Sequence, residues 1–334
     1  MTLTVVPCRV RDQWDAAVNS HKGHPMQLWG WGETKAAHHW RVDRVLVKEG
    51  QELIGSAQVL VRTLPFPFRS LAYLPRGPQA EAGREHEVLA AVGGYVRENH
   101  KSVALSIEPD WAADTVAVAT LPAAGWVKSA STILIPRTLI LDLTRTEDEL
   151  LGAMSKKTRQ YIRKSGREAL TYRPVLAAEL PQLMAVYKDT AERAGFGIHQ
   201  DSYYADIARN LGDNSPIYGA FDGGTLVSFL WLATSGSTAF ELYGGMSEEG
   251  SRLRANFALK WLAIQEMKAR GITRYDFNGL LNDGVSKFKF GFADHEDMLA
   301  GTWDLALSPL YPVFAKALPL ARRGVRRLRS ALKR

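Results

Sequence analysis

The sequence predicts an α/β (α+β) chain folded as two tandem copies of one unit. Three observations carry that expectation. The order strand–hairpin–strand–helix–strand occurs twice along the chain. The last strand of each copy ends on an acid, Glu108 in the first and Asp276 in the second. The 334 residues, 46% hydrophobic and 23% charged, are enough for about two domains with sizeable cores.

In the first copy R-V-D-R-V-L-V at 41–47 reads as a strand, K-E-G-Q as a turn and E-L-I-G-S-A-Q-V-L-V-R-T-L as its partner. S-L-A-Y-L-P-R-G-P at 70–78 gives a third strand ending in a Pro/Gly loop, followed by a helix over Glu85–Glu98 and the strand S-V-A-L-S-I-E-P at 102–109. In the second copy I-Y-G-A-F at 217–221 and T-L-V-S-F-L-W-L-A at 225–233 flank the tight turn D-G-G. T-A-F-E-L-Y-G-G at 238–245, a helix over Asn256–Arg270 and I-T-R-Y-D-F-N-G at 272–279 complete it. The expected boundary lies near 140–146, giving domains 1–143 and 144–302. The strand W-D-L-A-L from 303 returns, with the residues to 334, to complete the first domain.

Composition narrows the chemistry. One cysteine, Cys8, excludes a disulfide framework and any multi-cysteine metal site. His21 and His24 are the closest non-adjacent histidine pair, so zinc is not expected. No charged head followed by an apolar stretch opens the chain, and no apolar run approaches the roughly 18 residues that span a bilayer. The expectation is a cytoplasmic protein. The formal net charge of +7 is matched by the seven cations of R-R-G-V-R-R-L-R-S-A-L-K-R at 322–334. An apolar stripe, Phe314, Leu318, Ala321, Val325, Leu328 and Leu332, precedes and threads this tail. It reads either as a helix at an anionic membrane surface or phosphate backbone, or as a solubilising helix packed on the body. A second cluster, Lys156, Lys157, Arg159, Arg163, Lys164 and Arg167, follows the capping box Thr146–Glu149 in a helix expected to run about twenty residues. Arg159, Arg163 and Arg167 should share a face, pointing to a polyanionic partner or simply to solvent.

The duplicated order resembles the plan of acetyl-CoA-type (GNAT) acyltransferase domains, with a cleft between two such domains. The pyrophosphate cradle Q/R-x-x-G-x-G/A of those enzymes is not met: Arg163–Lys164–Ser165–Gly166–Arg167–Glu168 fails at its last position. No G-x-S-x-G, Walker loop or G-x-G-x-x-G after a strand occurs either. A more specific resemblance rests on Q-L-W-G-W-G-E-T-K at 27–35, A-Q-V-L-V-R-T-L-P and A-Y-L-P-R-G-P. K-K-T-R-Q-Y-I-R-K at 156–164, T-A-E-R-A-G-F at 190–196, E-L-Y-G-G at 241–245, Y-D-F-N-G at 275–279 and F-K-F-G-F at 288–292 continue it. In this order, over about residues 25–305, they resemble the FemABX peptidyltransferases, in the shorter FemX-like form without a helical-hairpin insertion.

That resemblance implies transfer of an aminoacyl group from aminoacyl-tRNA to a side-chain amine of a UDP-linked or lipid-linked peptidoglycan precursor. Aminolysis of an ester requires no cofactor. By the same resemblance Lys289 contacts tRNA and the developing oxyanion, with Phe288 able to stack on the terminal adenosine. Alternatively Phe288, Phe290 and Phe292 alternate as the core face of a strand, with Lys289 in solvent. Lys35 and Arg193 match the positions that hold the precursor's phosphates, and Arg suits bidentate recognition. Lys35 also reads as a helix-surface residue beside Glu33. Tyr243 is a hydrogen-bonding partner for the precursor or a half-buried strand tyrosine. Glu108 stands where the family has an aspartate and would anchor the amine or take its proton. Asn256 and Asp276 are cleft candidates that helix capping and a strand-end turn explain equally well. The basic tail would place the enzyme at the inner membrane leaflet. Two other readings stay open: an acyl-CoA-dependent N-acyltransferase, and a non-catalytic tRNA- or membrane-binding relative.

Overall fold

The computed structural model describes residues 3–281 and 284–319. The basic tail at 322–334 and the distal part of its apolar stripe lie outside the described residues. The elements begin with β1 (Leu3–Pro7), α1 (Arg11–Ser20), α2 (Trp29–Ala37), β2 (Arg41–Glu49), β3 (Glu52–Thr63), β4 (Ser70–Pro75) and β5 (Gln79–Ala80). Next come α3 (Glu85–Asn99), β6 (Ser102–Glu108), α4 (Val116–Ala119), β7 (Trp126–Lys128), β8 (Arg137–Thr138) and β9 (Ile140–Asp142). They continue with α5 (Glu147–Ala153), α6 (Lys156–Ser165), β10 (Leu170–Pro174), α7 (Leu180–Ala194), α8 (Asp201–Leu211), β11 (Ile217–Asp222) and β12 (Thr225–Thr234). The series closes with β13 (Thr238–Met246), α9 (Glu248–Arg252), α10 (Ala255–Ala269), β14 (Arg274–Asp276), α11 (Gly284–Phe290), β15 (Asp297–Met298) and β16 (Trp303–Ala306). A further helix occupies 311–319.

Two compact units form: one from the N-terminus to His21 plus Met26–Pro136 and the chain from Met298 onward, the other from Lys22–Pro25 plus Arg137–Asp297. The change-over thus falls at Pro136/Arg137, ahead of the 143/144 boundary expected from sequence. The reason is a strand too short to recognise: Ile140–Asp142 pairs antiparallel with β14 and so belongs to the second sheet.

In the first unit the sheet order is β1-β2-β3-β4-β6-β16-β7, with β5 beside β3. β4 and β6 run parallel, as a crossover through α3 requires, and β16 returns to pair antiparallel with β6 and β7. Val45, Ile54, Val59, Leu74, Val88, Val92, Leu105 and Trp303 are buried in one cluster under α3. A buried polar network fixes α2 beside β3. Gln27 donates to the Pro75 carbonyl at 2.6 Å and its own side-chain oxygen accepts from the Gln58 amide at 2.8 Å. Arg44 then bridges Gln58 and Glu33, each at 2.8 Å. Every member of the chain is satisfied, so the helix that carries Lys35 is held rigidly.

In the second unit the sheet order is β10-β11-β12-β13-β14-β9. β13 and β14 are the parallel pair here, joined through α10, which repeats the β4–α3–β6 plan of the first unit. α10 packs on β11, β12 and α6, while α7 packs on β12 and β13.

Three local expectations change. The twenty-residue helix after Thr146 is two helices. Ser155 leaves the helical conformation, caps α6 by accepting from the Thr158 amide, and donates its own amide to the Gly291 carbonyl at 2.9 Å. The F-K-F-G-F segment is not a strand; Phe288 and Phe290 end α11, and Phe288 meets Phe292 one turn later at a ring distance of 5.2 Å. The predicted strand at 272–279 shrinks to Arg274–Asp276, because Asn278 takes a positive φ of 52° that ends extended pairing.

Candidate functional site

Four of the residues singled out by sequence, Tyr243, Asn256, Phe288 and Lys289, line one cavity of about 290 Å³ in the second unit. β13 supplies Tyr243, the first turn of α10 supplies Asn256, and α11 supplies the other two. Gly245 keeps the wall of this cavity thin: a Cβ there would stand 2.7 Å from the Phe229 ring and 2.9 Å from Thr190 Oγ1.

Lys289 Nζ donates to the carbonyls of Phe277 at 2.6 Å, Asn278 at 2.5 Å and Gly279 at 3.3 Å. The turn after β14 therefore exists in part to aim this ammonium. Its positive φ at Asn278 points successive carbonyls inward, and the Asn278 side chain is tied to the Glu241 carbonyl at 2.9 Å.

Sequence reasoning missed the group beside it. Lys260, buried in α10, gives both oxygens of Glu241 a hydrogen bond, at 2.5 and 2.8 Å, and Tyr275 donates to the same carboxylate at 3.0 Å. Lys260 and Glu241 are only 4% and 5% exposed, so this is a fully desolvated pair. Burial lowers the Lys260 ammonium to about 8, with Glu241 pulling it back up and Lys289 pushing it down. Lys260 Nζ also lies over the rings of Phe277 and Phe288, at 4.4 and 5.2 Å. Removing one member of such a pair typically costs about 3–5 kcal/mol. The signal was legible in hindsight: a lysine and a glutamate stand inside otherwise apolar stretches, A-L-K-W-L-A and T-A-F-E-L-Y.

Tyr243 sits among Tyr187, Tyr204 and Trp231, with ring centroids 5.6, 5.1 and 5.9 Å away. Burial first, and the neighbouring phenols second, hold its hydroxyl far above the ordinary tyrosine range, so it stays a donor. Arg193, in the last turn of α7, reaches the Met246 carbonyl at the rim of the same cavity and pairs with Asp189 at 3.1 Å. Gly195, at φ 71°, ends α7 directly after it.

The other two candidates belong to the first unit. Lys35 stands in the last turn of α2 with its ammonium 4.6 Å from the Trp31 ring centre. Burial, then the field of Arg62, lower it to about 8. Glu108, 1% exposed, accepts from Tyr73 Oη and Thr302 Oγ1, both at 2.5 Å, and from the amides of Ile133 at 2.8 Å and Leu134 at 3.1 Å. With its oxygens so engaged, Glu108 ties β6 to the 131–134 segment and to the chain returning at Thr302. A general base needs an open lone pair, which this arrangement does not offer. Asp276 does the matching work in the second unit, accepting from Thr138 Oγ1 at 2.5 Å and the Asn278 amide at 2.8 Å. Among the described residues no cluster of His, Cys, Asp or Glu is placed to hold a metal ion. No helix among them is long and apolar enough to cross a membrane.

A cavity with two ammonium groups, one carboxylate, a protonated tyrosine and the amides of Asn256 and Asn278 on mostly apolar walls suits a small neutral group on which negative charge develops. Comparison with known proteins follows the same division into units. Residues 11–125 match the FemAB family and residues 156–295 match an acetyltransferase (GNAT) domain. The chain is 23% identical to lipid II:glycine glycyltransferase of Staphylococcus aureus over 409 aligned positions, covering 96% of this chain and 97% of that protein. The alignment is longer than the 334 residues here, so the relative carries segments this chain lacks. A crystal structure of FemX superposes with a TM-score of 0.84 at 22% identity, covering 94% of this chain and all of that one. A tandem GNAT protein from the clavulanic acid biosynthesis pathway superposes at 0.54, with 14% identity over 92% of this chain and 99% of that one. The FemAB match on the first unit, the acetyltransferase match on the second and the near-complete FemX superposition converge on one conclusion: the chain shares the fold of FemX and, over residues 11–125, matches the FemAB family.

Proposed function

We propose that the protein is an aminoacyltransferase of peptidoglycan bridge synthesis, moving an aminoacyl group from aminoacyl-tRNA to a side-chain amine of a lipid-linked or UDP-linked precursor. The observation that carries this reading is the convergence of Phe288, Lys289, Tyr243 and Asn256 on one cavity of the second unit, in a chain related over nearly its whole length to a glycyltransferase. The acceptor amine, once neutral, attacks the ester carbonyl carbon. The C–O bond to the ribose breaks, an amide forms, and the ribose oxygen takes up the proton the amine loses. No oxidant, metal or further co-reactant enters this balance.

Negative charge grows on the carbonyl oxygen before the C–O bond breaks. Lys289 is assigned to that oxygen, exchanging its longest hydrogen bond, the 3.3 Å contact to the Gly279 carbonyl, for the oxyanion. Lys260 adds a second positive charge while Glu241 keeps it fixed. Phe288, on the cavity wall, offers a face for the terminal base of the donor. Tyr243 and Asn256 hold substrate as donors, Arg193 serves precursor binding at the rim, and Lys35 is assigned to a precursor phosphate.

The test is a mass-spectrometric transfer assay with charged total tRNA, each acceptor form in turn, and an RNase-treated control. The expected product is a precursor heavier by one amino-acid residue, lost with RNase. Lys289→Ala should lower kcat by about 10²–10³ at unchanged circular dichroism, the usual cost of losing one oxyanion donor. Transfer surviving RNase, or requiring a coenzyme A thioester, would move the chemistry to acyl-CoA.

A further inference from the structure

We propose that the exposed face of α6 is the docking surface for the RNA body of the donor, a site separate from the cavity where the ester reacts. The inference rests on the donor reading above. Five cations, Lys156, Lys157, Arg163, Lys164 and Arg167, are exposed on α6 and the turn after it. Among the described residues none of the five takes part in an ion pair, and α6 itself, K-K-T-R-Q-Y-I-R-K-S, contains no acid. At 3.6 residues per turn, Lys156, Lys157, Arg163 and Lys164 fall with Gln160 in a sector of about 120°, opposite the buried Thr158, Ile162 and Ser165, and Arg167 follows in the turn after the helix. Arg163, Lys164 and Arg167 border a groove together with Gln160 and a single carboxylate, Glu168.

The structure removes Arg159 from this face. It turns back to the carbonyls of Leu151 and Gly152, both at 3.2 Å, and of Met154, completing the C-terminus of α5. Cations needed for structure and cations left for a ligand are thus sorted along one helix.

Two further observations select RNA over a lipid surface. No large apolar side chain is exposed on α6, so nothing is there to enter an acyl layer. Instead Tyr161 is held between cations, with Arg254 4.0 Å and Lys157 5.6 Å from its ring centre. Arg254 adopts φ 55°, a left-handed conformation that a non-glycine residue takes at a cost, and so lays its guanidinium on that ring. Cations alternating with an aromatic plane match a strand of phosphates and bases. The surface also leads to the reaction site. Tyr161 meets Phe257 at 5.0 Å, and Phe257 meets Phe288, on the cavity wall, at 4.8 Å.

The probe is unmodified total tRNA, with binding followed by fluorescence anisotropy across a salt series. The triple substitution Arg163→Glu/Lys164→Glu/Arg167→Glu should weaken binding at least tenfold at low salt. It should also reduce the slope of log affinity against log salt by about 2–3, near 0.9 per lost phosphate contact. In transfer assays, efficiency with full-length aminoacyl-tRNA relative to a short aminoacylated 3′-terminal oligonucleotide should fall at least tenfold in the same variant. Unchanged tRNA binding and salt slope would overturn the proposal. So would loss of co-sedimentation with phosphatidylglycerol vesicles while tRNA binding persists, since that assigns the face to a membrane. A wild-type protein that binds tRNA through α6 yet transfers nothing leaves the face standing and sinks the reaction. Transfer from both donors, unaffected by the triple substitution, does the reverse.

Discussion

A half-buried lysine proposed to hold a phosphate has a pH limit written into its surroundings. Lys35 lies against Trp31 with Arg62 nearby, and its ammonium is lowered to about 8. Below that value the group is charged; above it the amine is neutral and offers a phosphate no ionic contact. Precursor affinity should therefore fall as pH rises through about 8. Lys35→Arg should keep its affinity to higher pH, because guanidinium does not deprotonate there. Lys35→Ala should lose roughly tenfold to hundredfold at about pH 7, the value of one charge-assisted hydrogen bond at about 1.5–3 kcal/mol. Calorimetric titration of the precursor into the parent and both variants from about pH 6.5 to 9.5 decides it. Parallel curves for the parent and the Lys35→Arg variant would remove Lys35 from the phosphate site. At this scale the sequence named residue types better than roles. Lys289 and Phe288 reach a common cavity, whereas Glu108 is drawn into bonds with Tyr73, Thr302 and two amides that no local pattern announces.

Between the residue and the fold stands the break at Met154–Ser155. Thr146 and Glu149 make the capping box expected from their spacing, the Thr146 hydroxyl accepting from the Glu149 amide at 3.3 Å and the Glu149 carboxylate from the Thr146 amide at 2.7 Å. No proline occurs between Glu149 and Glu168, so periodicity alone extends the helix. What stops it is a partner far along the chain, the Gly291 carbonyl, which captures the Ser155 amide. Ser155 then caps α6 from its side chain. Ser155→Ala should cost about 1 kcal/mol, as N-cap losses do, while Ser155→Thr should remain near the parent. Urea unfolding at matched m-values measures this, and equal midpoints for Ser155→Ala and the parent would deny the cap. Because α6 begins where Gly291 ends the α11 turn, the break also fixes the basic face relative to Phe288 and Lys289. The same tertiary capture explains why F-K-F-G-F folds as a helix end, although its alternation suits a strand.

On the scale of the whole molecule the chain closes its first unit with its last described residues. β16 lies between β6 and β7, pairing Leu305 with both Leu105 and Trp126. Thr302, immediately before it, bonds to Glu108, and Ser106 bonds to Asp304 at 2.5 Å. A chain ending at Asp297 would leave the edge of β6 unpaired and Glu108 short of a donor. That protein should be insoluble or lack a cooperative thermal transition for the first unit, measured by circular dichroism and size-exclusion chromatography. A monomeric truncated chain with the full transition would show that β16 is dispensable.

Several features followed from sequence alone because their causes are local. Apolar runs bounded by D-G-G or K-E-G-Q turns set the long strands, a capping box set the start of α5, and the duplicated order set the α/β plan of each unit. The return of W-D-L-A-L to the first sheet was legible too, as an apolar strand left over once both copies were counted. Tertiary structure decided what depends on distant partners. It made β9 an edge of the second sheet, split the helix at Ser155, turned Arg159 inward while leaving Arg163, Lys164 and Arg167 outside, and buried Lys260 against Glu241. Each of these outcomes is set by the donors and acceptors that folding brings within hydrogen-bonding distance across tens or hundreds of residues. Burial then multiplies their strength, because charges and amides removed from water must find each other.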